Sequence, residues 1–179
     1  MNKFLIGIWD LECSDLRANK GVIISSDIKI YGGKHITRVN RNLGKDGLDD
    51  KEICQEVKKD LESLGMIVSF YGLNYDRRFL NTRLLRWGLE PLQPRLHTDL
   101  CRIGFANISS TRRNLDTIGA LLGIEQKKTH FDIQIWLEAA VNGEKKAIDM
   151  IVNHNVIDTE VTEKVFERLY PLIKSISQA

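Results

Sequence analysis

Residues 4–12 read Phe4-Leu5-Ile6-Gly7-Ile8-Trp9-Asp10-Leu11-Glu12, an apolar run that ends in two carboxylates two residues apart. With the two-residue period of a strand, Phe4, Ile6 and Ile8 line one face and Leu5 and Trp9 the other. Apolar residues on both faces describe a central strand, covered on both sides. Asp10 and Glu12 continue the register of Ile6 and Ile8, so both leave the same face. A carboxylate on a buried register is costly unless a cation or a proton satisfies it. The residues alone also fit a strand that stops at Trp9, with the acids in a solvated turn.

Working outward, residues 3–12 are the first strand, and Gly21 to Tyr31 and Lys34 to Asn40 alternate as a second and third, joined at Gly32-Gly33. Asp50 to Leu64 carries Ile53, Val57, Leu61 and Leu64 at helical spacing and is stopped by Gly65. Met66 to Tyr71 is a fourth strand, Asp76 to Trp87 a helix ended by Gly88, and Arg95 to Leu100 a fifth strand. Helices follow over Arg113 to Leu122, Phe131 to Val141, and from Glu144 to about Leu169, with Pro171 marking an end or a kink. This order gives an α/β fold in which a mixed five-stranded sheet is flanked by helices. With no repeat, linker or low-complexity tract, residues 1–179 read as one domain.

Two further acids stand out. On the last helix one stripe reads Ile151, His154, Asp158, Val161 and Val165, with polar residues one turn apart where apolar ones belong. A core histidine beside an aspartate fits His154 taken alone; with an acid-ended strand elsewhere, the pair points to a shared site. Asp76 opens a helix after a strand, in Tyr71-Gly72-Leu73-Asn74-Tyr75-Asp76-Arg77-Arg78-Phe79-Leu80. That position suits an N-cap and equally the strand ends where α/β proteins build sites. Clustered carboxylates imply a divalent cation, and from there phosphoryl chemistry.

Composition supports this modestly. Hydrophobic residues make up 42% and charged residues 28%, ordinary for a soluble protein. The apolar runs are strand-length, so neither a membrane span nor a signal peptide is expected, and the location reads as cytoplasmic. Cys13, Cys54 and Cys101 form no CxxC, and His35, His97 and His130 have no zinc-ligand spacing. No phosphate-cradling glycine loop and no nucleophile elbow is present. From Arg77 to Arg113 there are eight arginines, no lysine, and only Glu90 and Asp99 as acids. That window is +6 in a chain of net charge +2, leaving −4 for the rest. Guanidinium forks suit phosphate oxygens, although solvated surface charge reads the same way.

These blocks, in this order, resemble the DEDD (DnaQ-like) 3′–5′ exonucleases of the ribonuclease H-like fold, most closely the small stand-alone predicted exonucleases. The family's D-x-E is matched by Asp10 and Glu12, its helix-opening aspartate by Asp76, and its last-helix aspartate by Asp158. The segment Tyr71-Gly72-x3-Asp76-x2-Phe79-Leu80-x-Thr82-Arg83 resembles that subgroup, as does Asn114-Leu115-Asp116-x2-Gly119-x-Leu121-Leu122-Gly123. Three residues lie between His154 and Asp158, the spacing of the family's tyrosine branch occupied by a histidine, and Tyr75 replaces a common phenylalanine.

The resemblance implies a 3′–5′ exonuclease releasing 5′ nucleoside monophosphates from DNA or RNA. It implies two Mg²⁺ or Mn²⁺ ions on Asp10, Glu12, Asp76 and Asp158, and His154 activating water. It also implies nucleic-acid contacts by Leu11, Tyr75, Arg77, Arg78, Phe79, Arg83 and Arg113. The rival readings are a related endonuclease, a non-catalytic nucleic-acid-binding module, a polymerase-associated proofreading subunit, and an enzyme of small phosphoesters. No membrane partner is expected, and no protein partner is specified.

Overall fold

In the computed structural model, residues 4–45, 49–125 and 132–179 are described. Lys3, at the start of the first expected strand, and His130 and Phe131 lie outside them. The sheet has the order β3-β2-β1-β4-β5-β6. Its strands are β1 (Ile6–Cys13), β2 (Ile23–Ile30), β3 (His35–Val39), β4 (Met66–Ser69), β5 (Leu96–Asp99) and β6 (Ser177–Gln178). The five expected strands all form, and the two-residue β6 adds to the edge of β5. The β1–β2 and β2–β3 pairs are antiparallel, and β1–β4 and β4–β5 parallel. β1 therefore lies where the sheet changes from one mode to the other.

The alternation along β1 sorts the core as expected. Trp9 and Leu11 join Ile28, Ile67 and the apolar stripes of α1 (Lys51–Glu62) and α2 (Asp76–Arg86) on one side of the sheet. Ile8 joins Val68, Val161 and Val165 on the other side, which is covered by α3 (Leu100–Asn107), α4 (Leu115–Leu121) and α6 (Lys145–Leu169). A third cluster of Val22, Ile24, Ala139, Ala140 and Ile151 joins β2 to α5 (Ile133–Asn142) and α6. Glycines stop helices where expected: Gly88, Gly123 and Gly143 all take the left-handed conformation, which a glycine adopts without Cβ strain. Pro171 sits in a short 3₁₀ turn after α6. Among the described residues, no helix is long and apolar enough to cross a membrane.

Helix α3 is absent from the sequence reading. Asp99 ends β5 and at once caps α3, accepting the Cys101 N–H at 3.0 Å, so no loop separates strand from helix. Gly104 in the middle of the segment further weakens its helical signature.

Arg83 corrects another expectation. It is 3% exposed and lies on the buried stripe of α2 with Phe79, Leu80 and Leu84. Its guanidinium spans both oxygens of the fully buried Asp50 at 2.8 Å and donates to the Ala18 carbonyl at 3.0 Å. Asp50 also accepts the Trp87 indole N–H at 2.7 Å and the Ile23 N–H at 3.0 Å. Arg83 therefore fastens α1, α2 and β2 together and cannot reach a nucleic acid.

Removing it leaves an uncompensated buried carboxylate. Arg83→Ala is expected to lower the unfolding free energy by about 3–5 kcal/mol. Arg83→Lys should restore only part, because a point charge cannot span two oxygens. Urea unfolding followed by circular dichroism checks both; a loss below about 1 kcal/mol in the alanine variant, the range of an exposed pair, contradicts the assignment.

Candidate active site

Three elements converge beside β1. Asp10 and Glu12 leave the strand on the Ile8 face, toward α6. The fully buried face of α6 runs through Ile151, Asn155, Thr159 and Thr162, and His154 and Asp158 stand half-buried at its edge. His154 Nε2 lies 3.7 Å from Glu12 Oε1 and 3.8 Å from Asp158 Oδ2. The ligand atoms of Glu12, His154 and Asp158 all fall within 4.8 Å of one another.

Asp76 enters from α2 and is 4% exposed. Its Oδ1 accepts the backbone N–H of Leu11 at 2.9 Å, so the helix start is fastened to the strand between the two β1 acids. The helix's N-cap position is Tyr75, which makes no side-chain cap. A Cβ at Gly72 would collide with the Ser69 side chain and crowd Asp76 Oδ2, which accounts for glycine in this turn.

Asn155 is a residue that the sequence reading missed. It is fully buried; its Nδ2 donates to Asp10 Oδ2 at 2.7 Å and its Oδ1 accepts from Ser25 Oγ at 3.1 Å. One turn later, Thr159 Oγ1 donates to Asp27 Oδ2 at 2.5 Å, and Asp27 also binds His35 and Thr37. The available signal was Ile151, Asn155 and Thr159 at i, i+4 spacing, two polar residues on a helix's most buried line.

The electrostatics of the cluster run one way. Glu12 is pushed up to about 8, by burial first and by the Asp158 charge next, against a 3.4 Å hydrogen bond from the Trp136 indole. Asp76 is pushed up to about 7 by burial, opposed by hydrogen bonds from its own and the Leu11 N–H groups. Asp10 is raised well above its ordinary value by burial and then by Asp76, Glu12 and Asp158, with Asn155 opposing. Asp158 is raised by burial, against the stabilising His154 and with the Asp116 charge adding to it. Four carboxyl groups this close resist ionising together. All-oxygen donors with one imidazole fit a hard divalent cation, which relieves that repulsion.

Several expected nucleic-acid contacts are corrected. Leu11 and Phe79 are 4% and 3% exposed and belong to the core, and the Leu11 N–H is taken by Asp76. Arg83 is the buried tie described above. Arg77 is half-buried and turns toward the Leu92 carbonyl, 3.5 Å away, its charge lowered in stability by burial. Tyr75 is half-buried, its ring tilted on Phe79 and its hydroxyl donating to the Asp15 carbonyl at 3.2 Å. Arg78 and Arg113 remain exposed. The arginine-rich window is thus split between interior ties and surface charges.

A family model described as the RNase_H superfamily matches residues 8–170. A DNA polymerase III of PolC type from Ureaplasma parvum is 32% identical over 59 residues, 33% of this chain and only 4% of the polymerase. The structure of the family B DNA polymerase from the archaeon Pyrobaculum calidifontis superposes with a TM-score of 0.73. That match has 14% identity and covers 94% of this chain and 25% of the polymerase chain, so it shows a shared fold.

The raised carboxyl groups set a pH dependence without divalent cations. From about pH 3.8 to 8 the unfolded chain gives up protons that folded Glu12 and Asp76 retain, so stability falls as pH rises. Below that window both states are protonated, and above it both are ionised, so the contribution levels. Thermal unfolding in EDTA should show this decline, and Glu12→Gln should flatten its upper part. An identical slope in the variant contradicts the assignment.

Proposed function

Because the chain belongs to the RNase_H superfamily, we propose that it is a metal-dependent nuclease, and specifically a 3′–5′ exonuclease of single-stranded DNA or RNA ends. The observation that carries this reading is the convergence of Asp10, Glu12, Asp76 and Asp158, from three separated segments, on one side of β1 with their pKa values raised. The order of those segments is that of the DEDD exonucleases, and two of the proteins it resembles are polymerases of DNA.

In this reading the four carboxylates hold two divalent ions, Mg²⁺ or Mn²⁺. Bound there, such ions neutralise phosphate charge and lower the pKa of water. His154 accepts the water proton at Nε2, and the Glu12 and Asp158 carboxylates, 3.7 and 3.8 Å away, favour the imidazolium that results. Water oxygen bonds to phosphorus, the bond to the 3′ oxygen breaks, and that oxygen leaves with a proton as the new 3′ hydroxyl. The terminal residue departs as a 5′ monophosphate. Asn155 keeps Asp10 in one orientation throughout. A second reading has support from the same distances: His154 Nε2 is close enough to Glu12 and Asp158 to serve as a ligand.

Asp10→Ala and Asp158→Ala are expected to abolish shortening of 5′-labelled oligonucleotides from the 3′ end while leaving the circular dichroism spectrum unchanged. Near wild-type rates in saturating Mg²⁺ would rule out this site. His154→Ala should slow the single-turnover rate by roughly 10²–10⁴-fold. If instead the variant regains its rate at high metal concentration, His154 is a ligand and not the base.

A further inference from the structure

Three of the four clustered carboxylates each give one oxygen to a donor of the protein. Asp10 Oδ2 accepts from Asn155 Nδ2 at 2.7 Å, Asp76 Oδ1 from the Leu11 N–H at 2.9 Å, and Glu12 Oε2 from the Trp136 indole N–H at 3.4 Å. The other oxygen of each is left for a cation. Asn155 and Leu11 belong to α6 and β1, elements that themselves carry acids of the cluster. Trp136 comes from α5, which carries none of the four.

α5 is anchored close to Trp136. Ala139 and Ala140, one turn further on, are fully buried with Val22, Ile24 and Ile151, and the Trp136 ring packs beside the same cluster. The Gly44 N–H donates to the Ala140 carbonyl at 3.1 Å, and a Cβ on Gly44 would overlap the Gly143 backbone. The end of α5 is thereby pressed against the loop that follows β3. Glu12, in turn, has little support from its own strand. The β1–β2 register shifts between Glu12 and Cys13, so the ladder is irregular at this residue. Glutamate is also among the side chains with the most rotamer freedom to lose. With Oε2 on Trp136, the Glu12 Oε1 faces His154 Nε2 at 3.7 Å.

We propose that Trp136 is a positioning residue for Glu12: its N–H engages Oε2, so that Oε1 alone meets the cation. A carboxylate restricted to one oxygen suits a small octahedral ion, whereas Ca²⁺, larger and more flexibly coordinated, also takes both oxygens. Trp136, acting through Glu12, thus sets which divalent ions the cluster prefers, a role that deepens the nuclease reading and rests on its divalent-cation site.

Titration calorimetry with Mn²⁺ and, separately, Ca²⁺ measures this on wild type, Trp136→Phe, Glu12→Gln and the double variant. Phenylalanine keeps an aromatic ring for packing and loses the N–H. Trp136→Phe should weaken Mn²⁺ binding roughly 10-fold and Ca²⁺ binding less, so that the preference for Mn²⁺ narrows. In the Glu12→Gln background the same change should have no further effect on Mn²⁺ affinity. Unchanged Mn²⁺ affinity, equal weakening of both ions, or the same loss without the Glu12 carboxylate overturns the proposal. Wild type supplies a second readout, because its three tryptophans give three indole N–H signals in a nitrogen-15 spectrum. Mg²⁺ should move one of them, while those of Trp9 and Trp87, bound to Ser26 and Asp50, stay in place. If all three stay, the proposal is overturned. Oligonucleotide hydrolysis separates the two readings. Hydrolysis by wild type, with Mn²⁺ affinity unchanged in Trp136→Phe, overturns the role of Trp136 alone. Mn²⁺ binding that Trp136→Phe weakens, without hydrolysis by wild type, overturns the nuclease reading and supports the role of Trp136.

Discussion

The arrangement depends on how α6 is seated on the sheet. Its contact with β1 and β2 is polar at the centre, where Asn155 bridges Ser25 and Asp10 and Thr159 reaches Asp27. Apolar side chains can slide past one another at small cost, but a buried amide moved from its partners loses bonds that nothing replaces. The two polar contacts, one helical turn apart, therefore fix both the axial position and the rotation of α6. His154 and Asp158 face Glu12 as a result of that seating. The β1–β2 register completes it by setting Asp10 opposite Asp27 and Glu12 opposite Ser25.

What was legible in the sequence was whatever depends on local period. The alternation in residues 4–12 gave β1 and the face of its acids, and the glycines gave the helix ends. The stripe through Ile151, His154 and Asp158 was legible for the same reason, although it marks the edge of the buried face and not its centre. Asn155 escaped because its partners are 130 and 145 residues away, a distance that no local pattern encodes. The arginines were the least legible. Arg83 lies on an apolar stripe, but its meaning depends on Asp50, 33 residues earlier in the chain. A count of positive charge says nothing about the direction in which each guanidinium points.

The position of Asp76 shows how one backbone group serves two ends. The Leu11 N–H lies between Asp10 and Glu12 on the strand, and donating it to Asp76 joins the start of α2 to the cluster through the main chain. No substitution at residue 11 other than proline removes that donor. The turn leading to Asp76 is held independently by Asp99. The fourth carboxylate is thus placed by β1 and β5 together, before any cation contributes.

The buried Arg83–Asp50 pair has a consequence for handling the molecule in different ionic strengths. Mobile ions screen charges that face solvent within about 10 Å at 0.1 M salt, but they do not penetrate a dry pair. Arg102 and Arg113 are open to that screening, whereas the tie joining α1, α2 and β2 is not. Concentrated salt thereby damps the field of the surface arginines while the scaffold beneath stays folded. Surface charge and architecture, both built on arginine in this chain, respond to different solvents.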